Sequence, residues 1–343
     1  MIDPTLPLVD LHRHLEGSIR LSTVMELSKK YGLPLPGEDL VGLQTAVWMN
    51  EPTSDILKIM PKFNILRQIF VDYDACRRVT YECVEDAVQE GLDYVELRFS
   101  PLFMAELHQL DAMRVTAAVC EAWQEADRQF PLRSRLVAIL SRTYGPEVCL
   151  EELKPALAYA GKGIIGLDLA GDEARWPAHL FREHFNLARD AGLRLTAHAG
   201  EFAGADSVRE TIETLSPNRL GHAVHAADDP EVMDLIAQNQ IAIECCPTSN
   251  YYTCSVPEYR HHPLPVFLKH NLNVTLNADD PTLFGGIPVS NEYRLAFEEM
   301  GVSPEHLKKI QMDGLNAAFL SPEQKKDILK RKTAGGQTAT TQA

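Results

Sequence analysis

The sequence lacks any long apolar run. Nowhere do about 18 apolar residues follow one another, which is the length that a membrane-spanning helix requires. The opening "MIDPTLPLVD" also lacks the basic and apolar regions of a secretory signal. We therefore expect a cytoplasmic protein that does not contact a membrane.

Positive charge is scarce. Lys and Arg together number 33 against 48 Asp and Glu, which gives a formal net charge of −15. Proteins that bind nucleic-acid polymers neutralise phosphates with Lys and Arg. The charge balance therefore argues against a nucleic-acid polymer as partner.

Cysteine pairs with metal-binding or redox spacing are also missing. The chain has seven cysteines, an odd number, and none of them forms a CxxC motif. Neither a disulfide framework nor a thiolate zinc site is indicated. We expect these residues to be reduced and mostly buried.

Short apolar runs, rich in β-branched residues, recur eight times at strand length. They are "LPLVDLH", "LDYVELRFS", "SRLVAILSR", "GIIGLDLAG", "LRLTAHAG", "NRLGHAV", "IAIECC" and "LNVTLNAD". Segments with helical periodicity separate most of them, which predicts a TIM barrel, an α/β (β/α)8 fold. A doubly wound sheet is the alternative. It is disfavoured because no GxGxxG follows the first strand and no GxxxxGK[ST] occurs.

The predicted domain organisation is one barrel over residues 1–332, with extra helices after strand 1. The segment 18–90 contains "DILKIMPKFNILRQIF", whose apolar residues fall near helical spacing. This apolar face indicates either core packing or a hydrophobic lid over the active site. Residues 333–343 contain few apolar side chains, so we predict a flexible C-terminal tail.

Histidines and carboxylates cluster at the predicted C-terminal ends of the strands, where barrel enzymes have their active sites. Side chains alternate along a strand, so His12 and His14 in "VDLHRHLEG" share the face that lines the lumen. "AHAGE" adds His198. Three neutral imidazoles, one carboxylate and an open position suit a catalytic zinc, or less often another divalent metal.

Carboxylates follow two of these strands. Glu201 lies past the end of its strand, where Gly200 permits a turn toward a substrate. A carboxyl group in a closed pocket favours its neutral form, which suits a proton donor. In "NADDP", Asp279 and Asp280 both reach the site only if Pro281 ends the strand. One of them can then ligate metal while the other binds water or substrate.

Taken in order, "LHRHLEG", "LDLAGDE", "HAGE", "RLGHAV", "CPTSN" and "NADDP" resemble the adenosine deaminase family of the amidohydrolase superfamily. "HAGE" and "DDP" distinguish this branch from dinuclear amidohydrolases. The strand "GLDLAGD" carries no lysine at its end that would bridge two metals. The PCxxC signature of cytidine-type zinc deaminases is absent.

The resemblance implies a zinc-dependent hydrolytic deamination of adenosine and 2′-deoxyadenosine to inosine and deoxyinosine, with release of ammonia, in purine salvage. It implies one zinc per chain, with the ligands His12, His14, His198 and Asp279. Glu201 would protonate purine N1 as an activated water attacks C6. His222 would orient and deprotonate that water.

The resemblance also assigns residues to the substrate. Asp280 would bond the attacking oxygen and purine N7, and the backbone N–H of Gly171 would meet N3. His14 and Glu16 would complete the substrate site, while Ser249 would contact the metal-ligating carboxylate.

One position departs from the family pattern. Adenosine deaminases commonly place an aspartate after HxHL, against the ribose 5′-hydroxyl, whereas this chain has Glu16. A glutamate there also resembles adenine deaminases and aminodeoxyfutalosine deaminases. "RLGHA" and "LDYVELRFSP" favour adenosine, and the two other substrates stay as alternatives. Two other functions stay as alternatives. A barrel hydrolase for another C–N or P–O bond would need a proton donor other than Glu201. A barrel that binds purines without catalysis would lack at least one metal ligand or the acid.

Overall fold

The computed structural model describes residues 1–37 and 39–339 of the chain. Eight parallel strands stand side by side in sequence order. They are β1 Val9–His14, β2 Tyr94–Phe99, β3 Ser134–Ser141, β4 Ile164–Ala170, β5 Arg194–Ala199, β6 Arg219–His222, β7 Ala242–Cys245 and β8 Asn273–Leu276. Strands β2 to β8 each lie within one of the predicted apolar runs, and β1 continues two residues beyond its run, so the predicted (β/α)8 barrel is confirmed.

The barrel is joined between its last and first strands by the segment that follows β8. Arg13 and Asp279 form a parallel bridge. The N–H of Asp279 donates to the carbonyl of His12, and the N–H of His14 donates to the carbonyl of Asp279, both at 2.9 Å. The backbone therefore ties Asp279 to the strand that carries the HxH pair.

The described part of the chain contains fifteen α-helices, most of them on connections between strands. They are α1 Leu21–Tyr31, α2 Leu40–Val47, α3 Ile56–Arg67, α4 Tyr73–Gln89, α5 Pro101–Glu106, α6 Ala112–Gln129, α7 Pro146–Ala158, α8 Arg182–Asp190, α9 Ala205–Leu215, α10 Pro230–Gln238, α11 Pro247–Tyr252, α12 Leu264–Lys269, α13 Val289–Glu298, α14 Pro304–Ala317 and α15 Pro322–Ala339. Short 3-10 helices cover Arg142–Tyr144, Ala178–Phe181, Val224–Asp228 and Tyr259–His261.

The core lies between the strands and the helices that cover them. All six residues of β2 are buried, as expected for a parallel sheet covered by helices. Helix α6 illustrates the covering layer. Asp111 caps its N-terminus by accepting the N–H of Arg114, and its buried face includes Val115, Val119 and Ala126.

The extra helices predicted after strand 1 are present as α1 to α4. At the other end of the chain, α15 extends to Ala339, past residue 333 where the sequence predicted a flexible tail to begin. A helix that has already formed adds one hydrogen bond for each further residue, so its end does not require an apolar face. Residues 340–343 lie outside the described residues, and the flexibility of the tail stays a prediction.

All seven cysteines are free, and six of them are buried. This agrees with the reduced state predicted from their number and spacing. None of the helices within residues 1–37 and 39–339 has the length and apolar character needed to cross a membrane.

Candidate active site

Four side chains from three strand ends meet at the C-terminal mouth of the barrel. His12 and His14 come from β1, His198 from β5, and Asp279 from the segment after β8. The ring centroids of His12 and His198 are 4.5 Å apart. One carboxylate oxygen of Asp279 lies 3.4 Å from Nε2 of His12 and 3.3 Å from Nε2 of His14. The structure thus brings the four predicted ligands together.

Two carboxylates behind this cluster orient the imidazoles. Glu244 lies 2.7 Å from Nδ1 of His12, and Asp168 lies 3.1 Å from Nδ1 of His198. A carboxylate on Nδ1 fixes the proton there and turns the bare Nε2 toward the centre, as is usual for metal-binding histidines. Nε2 of His12 is buried and has no hydrogen-bond partner among the described residues.

This arrangement fits a divalent metal. The imidazole nitrogens of His12, His14 and His198 lie within 4.8 Å of one another. Burial holds the pKa of both His14 and His198 below its usual range, so these rings are neutral. Three imidazoles next to one carboxylate form the donor set of a catalytic zinc site.

A buried ion network supports the two orienting carboxylates. The guanidinium of Arg98 donates to both Asp168 and Glu244 at 2.8 Å. Arg219 donates to the other oxygen of Glu244 at 2.5 Å and also pairs with Glu96. These charges lie inside the barrel, directly below the histidines, and each is fully buried or nearly so.

The carboxylate of Glu173 holds the backbone of Glu201 next to the histidine cluster. Glu173 accepts the backbone N–H groups of Gly200, Glu201 and Phe202, and also the hydroxyl of Ser207. These bonds fix the turn after β5. Gly200 has φ +69°, and a Cβ there would meet Val208 at 2.5 Å, so the turn requires glycine.

The environment of Glu201 favours its neutral form. Burial, with the neighbouring carboxylates of Asp279 and Glu173, raises the pKa of Glu201 well above its usual range. A carboxylic acid that keeps its proton at neutral pH is able to donate it to a substrate. The geometry therefore permits the proton-donor role predicted from "HAGE".

His222 ends β6 and faces the same centre. Its Nε2 lies 3.5 Å from a carboxylate oxygen of Glu201 and 3.8 Å from one of Asp279. The residue is 1% exposed, and it has a positive φ of 61°, as does Ala223 at 49°. This strained turn aims the ring into the barrel mouth.

Asp280 lies close to His14 and Asp279. Burial and the negative charge of Asp279 raise the pKa of Asp280 well above its usual range. Its carboxylate packs against Gly17, where even a Cβ atom would come within 1.8 Å of Oδ1. The position of this carboxylate therefore depends on the lack of a side chain at residue 17.

A cavity of about 750 Å³ opens above these residues. Its lining includes the predicted substrate residues Glu16 and Gly171, and also Ser249. Ile59, Met60 and Phe63 of α3 form an apolar wall. Ile59 also belongs to the buried core, so α3 combines the two alternatives, core packing and a cover over the site.

Glu16 contributes a carboxyl group at the edge of the cavity. One of its oxygens accepts the backbone N–H of Ser100 at 2.8 Å. Burial, with a smaller effect from the carboxyl of Glu152, raises the pKa of Glu16 to about 8. The contact predicted between Gly171 and the purine, and that between Ser249 and Asp279, stay predictions.

Sequence reasoning assigned no role to Glu244, Arg98, Asp168 or Glu173. A signal was present, since Glu244 and Arg98 interrupt apolar strands that are otherwise buried on both faces. Charged residues are almost never fully buried unless they are paired. Their partners, however, come from distant strands, which the sequence alone does not identify.

The adenosine deaminase family is matched over residues 7–333. The chain is 45% identical over 332 residues to an adenosine deaminase of Yersinia enterocolitica, covering 97% of this chain and 99% of that one. It is 44% identical over 335 residues to an adenosine deaminase of Klebsiella pneumoniae, covering 98% of this chain and 100% of that one.

Solved structures show the same fold. An adenine deaminase from Arthrobacter aurescens superposes with a TM-score of 0.87 at 25% identity, covering 97% of this chain and 99% of the other. An amidohydrolase from Burkholderia ambifaria with bound Zn gives a TM-score of 0.83 at 25% identity, covering 97% and 93% of the two chains.

Proposed function

The chain belongs to the adenosine deaminase family, and we propose that it deaminates adenosine and 2′-deoxyadenosine hydrolytically to inosine and deoxyinosine, releasing ammonia. The observation that carries this proposal is the placement of Glu201. A carboxyl group whose pKa is raised well above its usual range lies next to a cluster of three imidazoles and lines a cavity of about 750 Å³. Such a site combines a proton donor with a place for an activated water.

We assign the metal position to His12, His14, His198 and Asp279, with one zinc per chain. The orphaned Nε2 of His12 and the carboxylates behind the histidines support this choice. When bound, zinc acts as a Lewis acid and makes a water molecule nucleophilic near neutral pH.

The remaining residues act on the purine and on the attacking water. Glu201 protonates N1, which makes C6 more electrophilic. The water oxygen forms a bond to C6 and gives up its two protons. One of them replaces the proton that Glu201 gave to N1, and the other passes to the amino nitrogen, which leaves as ammonia when its bond to C6 breaks. Asp280 accepts hydrogen bonds from the water and contacts N7, while His222 orients the water. The N–H of Gly171 donates to N3, and Ser249 supports the carboxylate of Asp279.

Glu16 and His14 border the part of the cavity assigned to the sugar. Because Ser100 occupies one oxygen of Glu16, the other oxygen is free to bond a ribose hydroxyl. Adenine deaminase activity is the second candidate, because a glutamate at this position also resembles enzymes of free adenine. The structural similarity to the adenine deaminase of A. aurescens supports that alternative.

The test is an assay of the metal-loaded protein with adenosine, 2′-deoxyadenosine and adenine. Loss of the adenosine absorbance is followed together with release of ammonia. We expect both nucleosides to be converted much faster than adenine. Faster conversion of adenine would overturn the substrate assignment, and no release of ammonia from any of the three would overturn the function.

We also propose that the partner is a small purine nucleoside in the cytoplasm and not a nucleic-acid polymer. The formal net charge of −15 supports this proposal, since it opposes binding to a phosphate backbone. Filter binding with single-stranded DNA and cell fractionation test the two parts separately.

A further inference from the structure

A chain of buried hydrogen bonds leads from His222 away from the reaction centre. Nδ1 of His222 lies 3.0 Å from the amide nitrogen of Asn250, which is on α11. The amide oxygen of Asn250 lies 3.1 Å from Nε2 of His262. The chain ends at the backbone N–H of Leu264, which is 3.1 Å from Nδ1 of His262. All three side chains are at most 2% exposed.

The hydrogen bond between Leu264 and His262 determines which group donates and which accepts in each of the other hydrogen bonds. A backbone N–H is only a donor, so Nδ1 of His262 must accept. Burial lowers the pKa of His262 to about 3, and its ring is therefore neutral with its single proton on Nε2. That proton is donated to the oxygen of Asn250, which leaves the amide nitrogen to donate to Nδ1 of His222.

We infer that Asn250 and His262 are positioning residues that hold His222 in the tautomer with its proton on Nε2, the nitrogen that faces the reaction centre. The inference deepens the function proposed above and rests on it for its catalytic meaning. The position of the proton itself follows from the hydrogen bonds alone.

The consequence concerns what His222 does to the attacking water. With Nδ1 occupied by a donor and Nε2 protonated, the neutral ring has no lone pair directed at the centre. His222 therefore donates a hydrogen bond to the water oxygen and keeps its own proton. The proton that leaves the water passes to the carboxylate of Glu201, which has given its own proton to N1. This revises the role implied by the family resemblance, in which His222 removes that proton.

Two substitutions of His262 form a matched pair. In His262→Gln, the amide nitrogen reaches the place of Nε2 and still donates to Asn250. In His262→Asn, the shorter side chain retains a polar group near Nδ1 but no longer reaches Asn250. We expect kcat within about threefold of the wild type for the glutamine variant and about tenfold lower for the asparagine variant. KM should stay unchanged in both His262 variants, since neither His262 nor Asn250 contacts the purine.

Asn250→Asp reverses the direction of the hydrogen bond between residue 250 and His222. A carboxylate only accepts, so it would draw the proton of His222 onto Nδ1 and leave Nε2 bare. We expect kcat to fall by roughly 100-fold while the metal content is retained, because a preorganised donor is lost from the reaction centre. A kcat equal to or above that of the wild type would overturn the inference, because a bare Nε2 would then serve catalysis.

Nitrogen NMR of the metal-loaded protein measures the tautomer directly. With ¹⁵N-labelled histidine, the His222 signals are identified by their loss in His222→Gln. We expect a protonated Nε2 and an unprotonated Nδ1 in the wild type, and the reverse in Asn250→Asp. A proton on Nδ1 in the wild-type ring, in its neutral or charged form, would overturn the inference.

The NMR experiment requires no substrate, so it separates two kinds of failure. If the wild type shows the expected tautomer but releases no ammonia from adenosine, only the proposed function fails. Equal kcat values for the glutamine and asparagine variants of His262 would show that the contact with Asn250 has no catalytic effect. His184→Gln is the control, because His184 is also buried and donates to a backbone carbonyl, that of Pro146 at 2.8 Å, outside the site. It should keep the wild-type kcat.

Discussion

Replacing Gly17 by alanine tests whether Asp280 must lie where the structure places it. The new Cβ would be 1.8 Å from Oδ1 and 2.5 Å from Cγ of Asp280, whereas real Cβ contacts are essentially never shorter than 3.0 Å. The backbones cannot easily move apart, because the N–H of Thr282 donates to the carbonyl of Gly17 at 2.8 Å. The carboxylate of Asp280 must therefore shift by about 1 Å.

The size of the effect follows from this shift. Displacing a reacting group by about 1 Å lowers the rate by about 100-fold, which corresponds to about 2.7 kcal/mol in the activation free energy. We therefore expect kcat/KM for adenosine to fall by about 100-fold in Gly17→Ala. The bound metal should remain, because Asp279 stays bonded to β1 through its own backbone. The assays are the initial rate of adenosine deamination and the metal content of the purified protein.

Gly204→Ala is the matched control. Gly204 lies in the loop after β5, has φ −75°, and has no atom within 4 Å of a Cβ built on it. Its kcat/KM should equal that of the wild type. If Gly17→Ala retained kcat/KM within threefold of the wild type, the assigned position of Asp280 would be unnecessary for turnover, and the reasoning would be refuted. Equal losses of metal and activity would instead place the effect at Asp279.

Four further predictions address the metal, the substrate and the stability. His198→Ala should reduce the metal from about one per chain to near zero and abolish activity, because one of four ligands is removed; metal analysis showing two tightly bound ions in the wild type would contradict the mononuclear site. Asp279→Asn should lose the metal, whereas Asp280→Asn should retain it and lose most turnover; equal metal loss would mean that the two roles are reversed. Glu16→Ala should lower kcat/KM for adenosine by about tenfold more than for adenine, because only adenosine has a sugar to contact Glu16, whereas the lost hydrogen bond from Ser100 affects both substrates; equal losses with both compounds would assign Glu16 to the fold. The pKa of Glu152 is raised from 4.5 to about 7 by burial, so its neutral form is the one that folding favours. Relative to Glu152→Gln, the wild type should therefore lose up to about 3 kcal/mol of unfolding free energy as the pH rises from about 4.5 to 7. Urea unfolding of both proteins at several pH values measures this difference. A difference that does not change with pH would contradict the raised pKa of Glu152.

The barrel was predictable because a parallel strand covered on both faces must be apolar almost throughout. That requirement leaves a visible run of residues for each strand, and polar residues appear only where the strand ends. The same property made His12, His14 and His198 conspicuous. Asp279 was harder to place, since its φ of +62° departs from regular strand geometry, and the sequence left open which of the two aspartates ligates metal.

The partners behind the histidines could not be predicted. Glu244 and His12 are separated by 232 residues and lie on strands that are not neighbours, while Asp168 and His198 are separated by 30 residues and lie on the neighbouring strands β4 and β5, so both contacts depend on the strand register. A period-two pattern shows which face a side chain occupies, but not the height at which it meets a residue across the lumen. The chain of hydrogen bonds from His222 to His262 depends in the same way on where α11 and the segment that carries His262 pack.

Helix α3 shows another limit of periodicity. Its apolar residues predicted a buried face, and Ile59 is indeed 6% exposed. Met60 and Phe63 line the cavity with it, where a purine nucleoside would cover them. A helix that packs on a core and a helix that packs on a ligand require the same apolar face, because both surfaces exclude water. The two alternatives therefore become distinguishable only once the cavity is located.

The buried ion network favours a divalent cation at the proposed metal site. Replacing buried ion pairs by apolar residues is often neutral or stabilising, so stability alone is a poor reason for this network. Its paired members comprise two guanidinium groups and three carboxylates, namely Arg98, Arg219, Glu96, Glu244 and Asp168. The network therefore carries one excess negative charge below the histidines. Asp279 adds a second at the level of the imidazoles, and one divalent cation balances the two. A monovalent cation would leave the centre negatively charged, which would oppose both the ionisation of a nearby water and the binding of purine N7 near Asp280.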